Sequence, residues 1–108
     1  MRDNYINFLD YYYSEHHEDE MDIILQDFGA VEHASETEGF YGSMSDAQLR
    51  QAANKFVNSF GSKYPEMRYL IRVISGPTQE DYEYLTGWQD AYRSLGKDIS
   101  ELEEKIGL

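Results

Sequence analysis

The sequence predicts a mainly α-helical protein, a compact bundle of about five helices. Apolar residues recur at three- and four-residue spacing through most of the chain. Helix-start and helix-stop residues sit where those stripes begin and end. One stretch, residues 67–75, also alternates like a strand, so an α+β arrangement is the second architecture. With 108 residues and no cysteine, the chain is expected to form one domain whose core needs no disulfide.

Tyr5, Phe8, Leu9 and Tyr12 define one face of a helix over Asp3–Tyr13, with Asp3 or Asn4 as its cap. Tyr11 projects away from that face and Tyr13 lies at its edge. Met21, Ile24, Leu25 and Phe28 define a second face, closed by Gly29. At about 100° per residue the two faces are roughly 160° out of phase, so one straight helix would aim its stripes in opposite directions. A break near Ser14, a candidate N-cap, resolves the conflict. Residues 29–44 show no period and read as a long loop.

Ser45 with Gln48 three residues later forms a capping box, and Met44 and Leu49 are placed to staple it. The stripe Leu49, Ala52, Ala53, Phe56, Val57, Phe60 then predicts a helix ending at Gly61. Met67, Leu70, Ile71 and Ile74 fit a further helix, with Pro65 at its first position and Gly76-Pro77 beyond its end. The competing strand face is Met67, Tyr69, Ile71 and Val73. Thr78 opens the next helix, with Tyr84, Leu85, Trp88, Ala91, Tyr92 and Leu95 inward and Gly96 as its stop. A short last helix follows Asp98, with Ile99, Leu102 and Ile106 inward.

The formal net charge is −12, from 21 acids against 9 bases. Residues 1–43 carry −10, residues 44–77 carry +3 and residues 78–108 carry −5. This balance opposes direct binding to nucleic acid or anionic lipid and favours basic protein surfaces. No run approaches about 18 apolar residues, so no membrane helix is expected. The N-terminus lacks a basic segment followed by an apolar run, so a cytoplasmic location is expected. Aromatic residues make up 15%, too many for a disordered acidic tail.

The most biased stretch is YYYSEHHEDEMD, Tyr11 to Asp22. His16, His17 and the neighbouring acids have the donor chemistry for zinc, manganese or iron, with His16 and Glu20 at i, i+4 and His33 as a further ligand. The H-E-x-x-H pattern fails because position 21 is Met, and no Glu-x-x-His pair occurs. Neither G-x-S-x-G nor a P-loop is present. The expectation is therefore no metal, no cofactor and no enzymatic activity, with a metal-dependent enzyme the third reading.

Residues 15–28 contain no lysine or arginine, whereas ordinary solvated helices intersperse both signs. With Met21, Ile24, Leu25 and Phe28 inward, the sequence places Glu15, Asp19, Asp22 and Gln26 on the opposite side, flanked by Glu18. Tyr11, Tyr13, Tyr41 and Tyr82 read as at least partly outward, and exposed tyrosine beside carboxylate suits arginine- and lysine-rich partners. The candidate partner-binding residues are thus Tyr11, Tyr13, Glu15, Glu18, Asp19, Glu20 and Asp22. Tyr11 and Ile23 are also candidates for a homodimer contact. Arg50, Lys55, Lys63, Arg68 and Arg72 form the basic region and are expected to pair with the chain's own acids.

In size, charge and its acid-plus-tyrosine surface, the chain resembles the small acidic inhibitors that phages and mobile elements direct against host nucleases. These are the DNA-mimic anti-restriction and anti-CRISPR proteins. The resemblance is one of composition and transfers no residue roles. It implies a non-enzymatic inhibitor that occupies the nucleic-acid-binding surface of a basic protein such as a nuclease effector, acting in the host cytoplasm if phage-encoded. The alternative is an immunity protein, antitoxin or regulatory adaptor that recognises a protein surface without mimicry.

Overall fold

The computed structural model describes residues 2–32, 37–75 and 99–107. These contain five α-helices: α1 (Arg2–Glu15), α2 (Asp19–Asp27), α3 (Asp46–Phe60), α4 (Glu66–Ile74) and α5 (Ile99–Ile106). A 3₁₀ segment, Gly39–Ser43, leads into α3, and no strand occurs among the described residues. The mainly α bundle is therefore the observed architecture. The helix expected from Thr78 to Gly96, together with Tyr82, Gly76-Pro77 and Asp98, lies outside the described residues.

Residues 67–75, the stretch with two readings, resolve as helix. Met67, Leu70, Ile71 and Ile74 are buried while Arg68 and Arg72 are exposed, a period near 3.6 that a strand could not satisfy. Pro65 precedes the helix as its N-cap rather than occupying its first position.

Helices α1 and α3 form the spine. α5 packs on α1, α2 packs on α3, and α4 touches both members of the spine. Phe8, Leu9 and Tyr12 of α1 and Leu49, Ala52, Ala53 and Phe56 of α3 are completely buried. The two alanines keep α3 slim at its centre, where a neighbouring axis can approach closely. Asp3 and Asn4, the expected caps, both lie inside α1, and Asn4 with Asn7 ties it to α5. The Asn4 amide donates to the carbonyls of Ile106 (3.1 Å) and Gly107 (3.2 Å), and Asn7 donates to Ile106 (3.3 Å). They satisfy carbonyls that the end of α5 leaves open.

The break between the two acidic helices falls at His16–Glu18. It is required by the phase conflict: both stripes reach one core only if the chain turns between them. Ser14 stays within α1, its hydroxyl donating to Asp10 Oδ1 at 3.3 Å. Glu18 is the N-cap of α2, with extended backbone and no side-chain capping bond. At the other end, Gly29 adopts φ +99°, open to glycine at little cost. Its N–H bonds to the Gln26 carbonyl (3.1 Å) and that of Ala30 to Leu25 (2.9 Å), the paired pattern of a Schellman close.

The expected loop over residues 29–44 is structured at its C-terminal end. The 3₁₀ segment buries Tyr41, which is 4% exposed, so the outward reading of this tyrosine is corrected. Its hydroxyl donates to Asp10 Oδ1 at 3.4 Å. Arg2 clamps the segment from α1, donating to the Met44 carbonyl (2.8 Å), Asp46 Oδ1 (3.0 Å) and Glu38 Oε2 (3.2 Å). The capping box of α3 forms as the sequence predicts. Ser45 Oγ accepts from the Gln48 N–H (3.1 Å), Gln48 Oε1 accepts from the Ser45 N–H (2.8 Å), and the stapling residues Met44 and Leu49 are buried.

Candidate binding face beside the helix break

The turn at residues 16–18 sends its two histidines to different sides. His16 packs against the rings of Tyr64 (4.8 Å between centroids), Tyr11 (5.7 Å) and Tyr12 (5.8 Å). His17 packs edge-on against Tyr13 at 4.9 Å and places Nε2 3.2 Å from Asp22 Oδ2. Tyr13 donates its hydroxyl hydrogen to the other oxygen of the same carboxylate, Oδ1, and rests against Phe40 at 5.4 Å. That bond is the leading reason the Tyr13 phenol is pushed up to about 12, with burial adding to it. Tyr13 and Asp22 therefore hold the junction of α1 and α2 together.

The other expected site residues divide by environment. Glu18 pairs with Lys63, the ion pair between acidic helices and basic region that the sequence anticipates. Tyr11 is half-buried in the aromatic cluster around His16, with Lys105 Nζ 5.4 Å from its ring centroid. Burial is the first cause raising the Tyr11 phenol, followed by Glu15, Glu66 and Glu101. Glu15, Asp19 and Glu20 are exposed and have no ion pair among the described residues.

The acidic stripe expected along one helix is thus revised. Glu15 belongs to α1, across the break, and Asp22 is drawn half-inward by Tyr13 and His17. The outer face of α2 consists instead of Asp19, Glu20, Ile23, Gln26 and Asp27, all exposed at helical three- and four-residue steps. Ile23 stands 57% exposed among these polar residues. Asp27 is the residue that sequence reasoning missed; stepping by three and four from Glu20 through Ile23 reaches it.

Metal-ligating chemistry gathers differently from the sequence expectation. His16 and Glu20 do not share a helix, whereas donor atoms of His17, Asp19 and Asp22 all lie within 4.8 Å of one another. Their mixed nitrogen and oxygen set is of the kind zinc or manganese accepts. Asp22 spends both oxygens on Tyr13 and His17.

No helix of the described residues is long and apolar enough to cross a membrane. No protein-family model matches the chain, and neither the curated proteins nor the solved structures give a significant match.

Proposed function

We propose that this chain is a non-enzymatic inhibitor whose outer α2 face binds a basic, nucleic-acid-binding surface of another protein, such as a nuclease of host defence. The observation that carries this reading is the exposure of Asp19, Glu20 and Asp27, with no ion pair among the described residues, in a segment without lysine or arginine. Asp19 and Glu20 lie in the first turn of α2, where the helix dipole favours acids. Asp27 lies in the last turn, which holds no basic residue, and there an acid opposes the dipole by about 0.3–1 kcal/mol. Folding gains nothing from it. A basic partner does, because the net charge of −12 steers such a surface toward this face.

The test is binding to a protein captured from the native host, measured as salt is raised. Charge-driven binding weakens steeply from roughly 0.1 to 0.5 M salt as the Debye length contracts. The combined variant Asp19→Lys, Glu20→Lys, Asp27→Lys is expected to lose binding. Affinity that ignores both salt and charge reversal contradicts the reading.

The exposure of Ile23 favours a second reading, an immunity protein, antitoxin or adaptor that recognises shape. An apolar side chain ringed by polar ones has the layout of an interface anchor and its rim. In that case Ile23→Ala weakens binding about tenfold or more, while the salt dependence stays shallow.

A further inference from the structure

Away from the α2 face, a cleft of about 470 Å³ opens between the end of α1, the turn before α4, and α5. Tyr11, His16 and Tyr64 line it together with Glu66, and Lys63 and Lys105 stand at its rim. Glu66 is the most buried residue of the lining, 9% exposed, and so forms its floor. Its Oε2 is closed off from solvent and has no hydrogen-bond partner among the described residues. A buried polar atom left in this state costs about 1–3 kcal/mol, more when charged. The first turn of α4 suits a negative charge there, yet supplies Oε2 with no donor.

The nearby cations are already engaged. Lys63 pairs with Glu18, and Lys105 Nζ lies 3.8 Å from Glu101. Each also shows what the walls attract: Lys63 Nζ is 5.6 Å from the Tyr64 ring centroid and Lys105 Nζ is 5.4 Å from that of Tyr11. A deep carboxylate in a cleft that two cation-attracting rings also line calls for a donor that is flat, charged and weakly hydrated. A guanidinium meets all three needs, because it stacks on aromatic faces and offers paired N–H groups to a carboxylate. An ammonium meets only the charge.

We propose that this cleft receives an arginine side chain of a basic protein partner, with Glu66 accepting its N–H groups and Tyr11 and Tyr64 flanking the guanidinium. The basic partner is shared with the reading of the α2 face; the cleft chemistry stands on Glu66 and its walls. Lys63 and Lys105, both exposed on flexible stems, swing aside as the guanidinium enters, and the Glu66 carboxylate rotates to bring its enclosed Oε2 into the cleft.

N-acetyl-L-arginine N-methylamide titrated into the full chain, followed by amide NMR, tests this directly. Saturable shifts centred on Tyr11, His16, Tyr64 and Glu66 are expected, with binding at least about tenfold tighter than for the neutral citrulline analogue. Glu66→Gln, and separately Tyr64→Leu, should each weaken it about tenfold, with a cooperative melting transition showing that the variant is folded; if one fails to fold, the other decides. The triple α2 reversal should still bind the probe. No saturation by about 100 mM, equal binding of citrulline, or equal binding of the lysine analogue overturns the assignment. Because the probe is a single blocked arginine and not a protein, its failure leaves the α2 reading standing, and failure of that reading leaves the cleft.

Discussion

The Tyr13 hydroxyl donates to Asp22 across the break between α1 and α2, joining residues nine apart that a continuous helix would hold more than two turns from each other. The bond has a pH signature. Tyrosine ordinarily titrates near 10, and in the folded chain Tyr13 is pushed up to about 12. Between those values the native state keeps a proton that the unfolded chain has released. Stability is therefore fully present below about pH 10 and declines as pH rises through about 12. Tyr13→Phe is expected to flatten that decline, measured as the denaturant midpoint against pH. Some slope should remain, because burial and Asp10 also raise Tyr41.

The capping box at Ser45 makes a second prediction. Ser45→Ala removes the acceptor for the Gln48 N–H and is expected to cost about 0.5–2 kcal/mol. At about 4–8 °C per kcal/mol, the loss is readable in thermal melting. Gln48→Ala, which loses the reciprocal bond to the Ser45 N–H, should fall in the same direction.

Gly61 gives the third. Its φ of −62° is open to any residue, so backbone freedom is not its reason for being there. A Cβ at this position would lie 2.4 Å from the Val57 carbonyl oxygen. Gly→Ala commonly gains about 0.4–1 kcal/mol by restricting the unfolded chain. Overpacking costs about 1–3 kcal/mol and wins. Gly61→Ala should therefore lower the urea midpoint with an unchanged slope.

A fourth separates folding from recognition. Asp19→Lys and Glu20→Lys lose a favourable interaction with the helix dipole at the start of α2, while Asp27→Lys gains one at its end. The combined change should move stability by about 1 kcal/mol or less, measured by circular dichroism melting. Lost binding in a variant of near-normal stability then reports on the face itself.

What the sequence made legible was local. The stripes of α1, α2 and α3, the Ser45–Gln48 box and the Gly29 stop each lie within a few residues of what they control. The helix break was legible from phase alone, although its position moved from Ser14 to His16–Glu18 because the cap there lacks a side-chain signature. Tyr41 was misread because a 3₁₀ turn of five residues has no apolar period. The candidate face was half legible. Asp19 and Glu20 are where the charge bias put them, but Asp22 is withdrawn by Tyr13 and His17 across the helix break, and Glu18 by a partner that tertiary packing chooses. Lys63 is 45 residues from Glu18, and Arg2 reaches 36 to 44 residues to its acceptors. No window along the chain contains both ends of such pairs.

The bonds from Asn4 to the end of α5 span more than 100 positions. A ribosome adding about 5–20 residues per second makes α1 some 5–20 s before the helix that will cover it. Throughout that wait α1 has α3 within reach but lacks the helix that completes its packing. The −10 charge of residues 1–43 then acts during biosynthesis, as like-charge repulsion between nascent chains on neighbouring ribosomes. Like charge of this size opposes association of the exposed segment until α5 arrives.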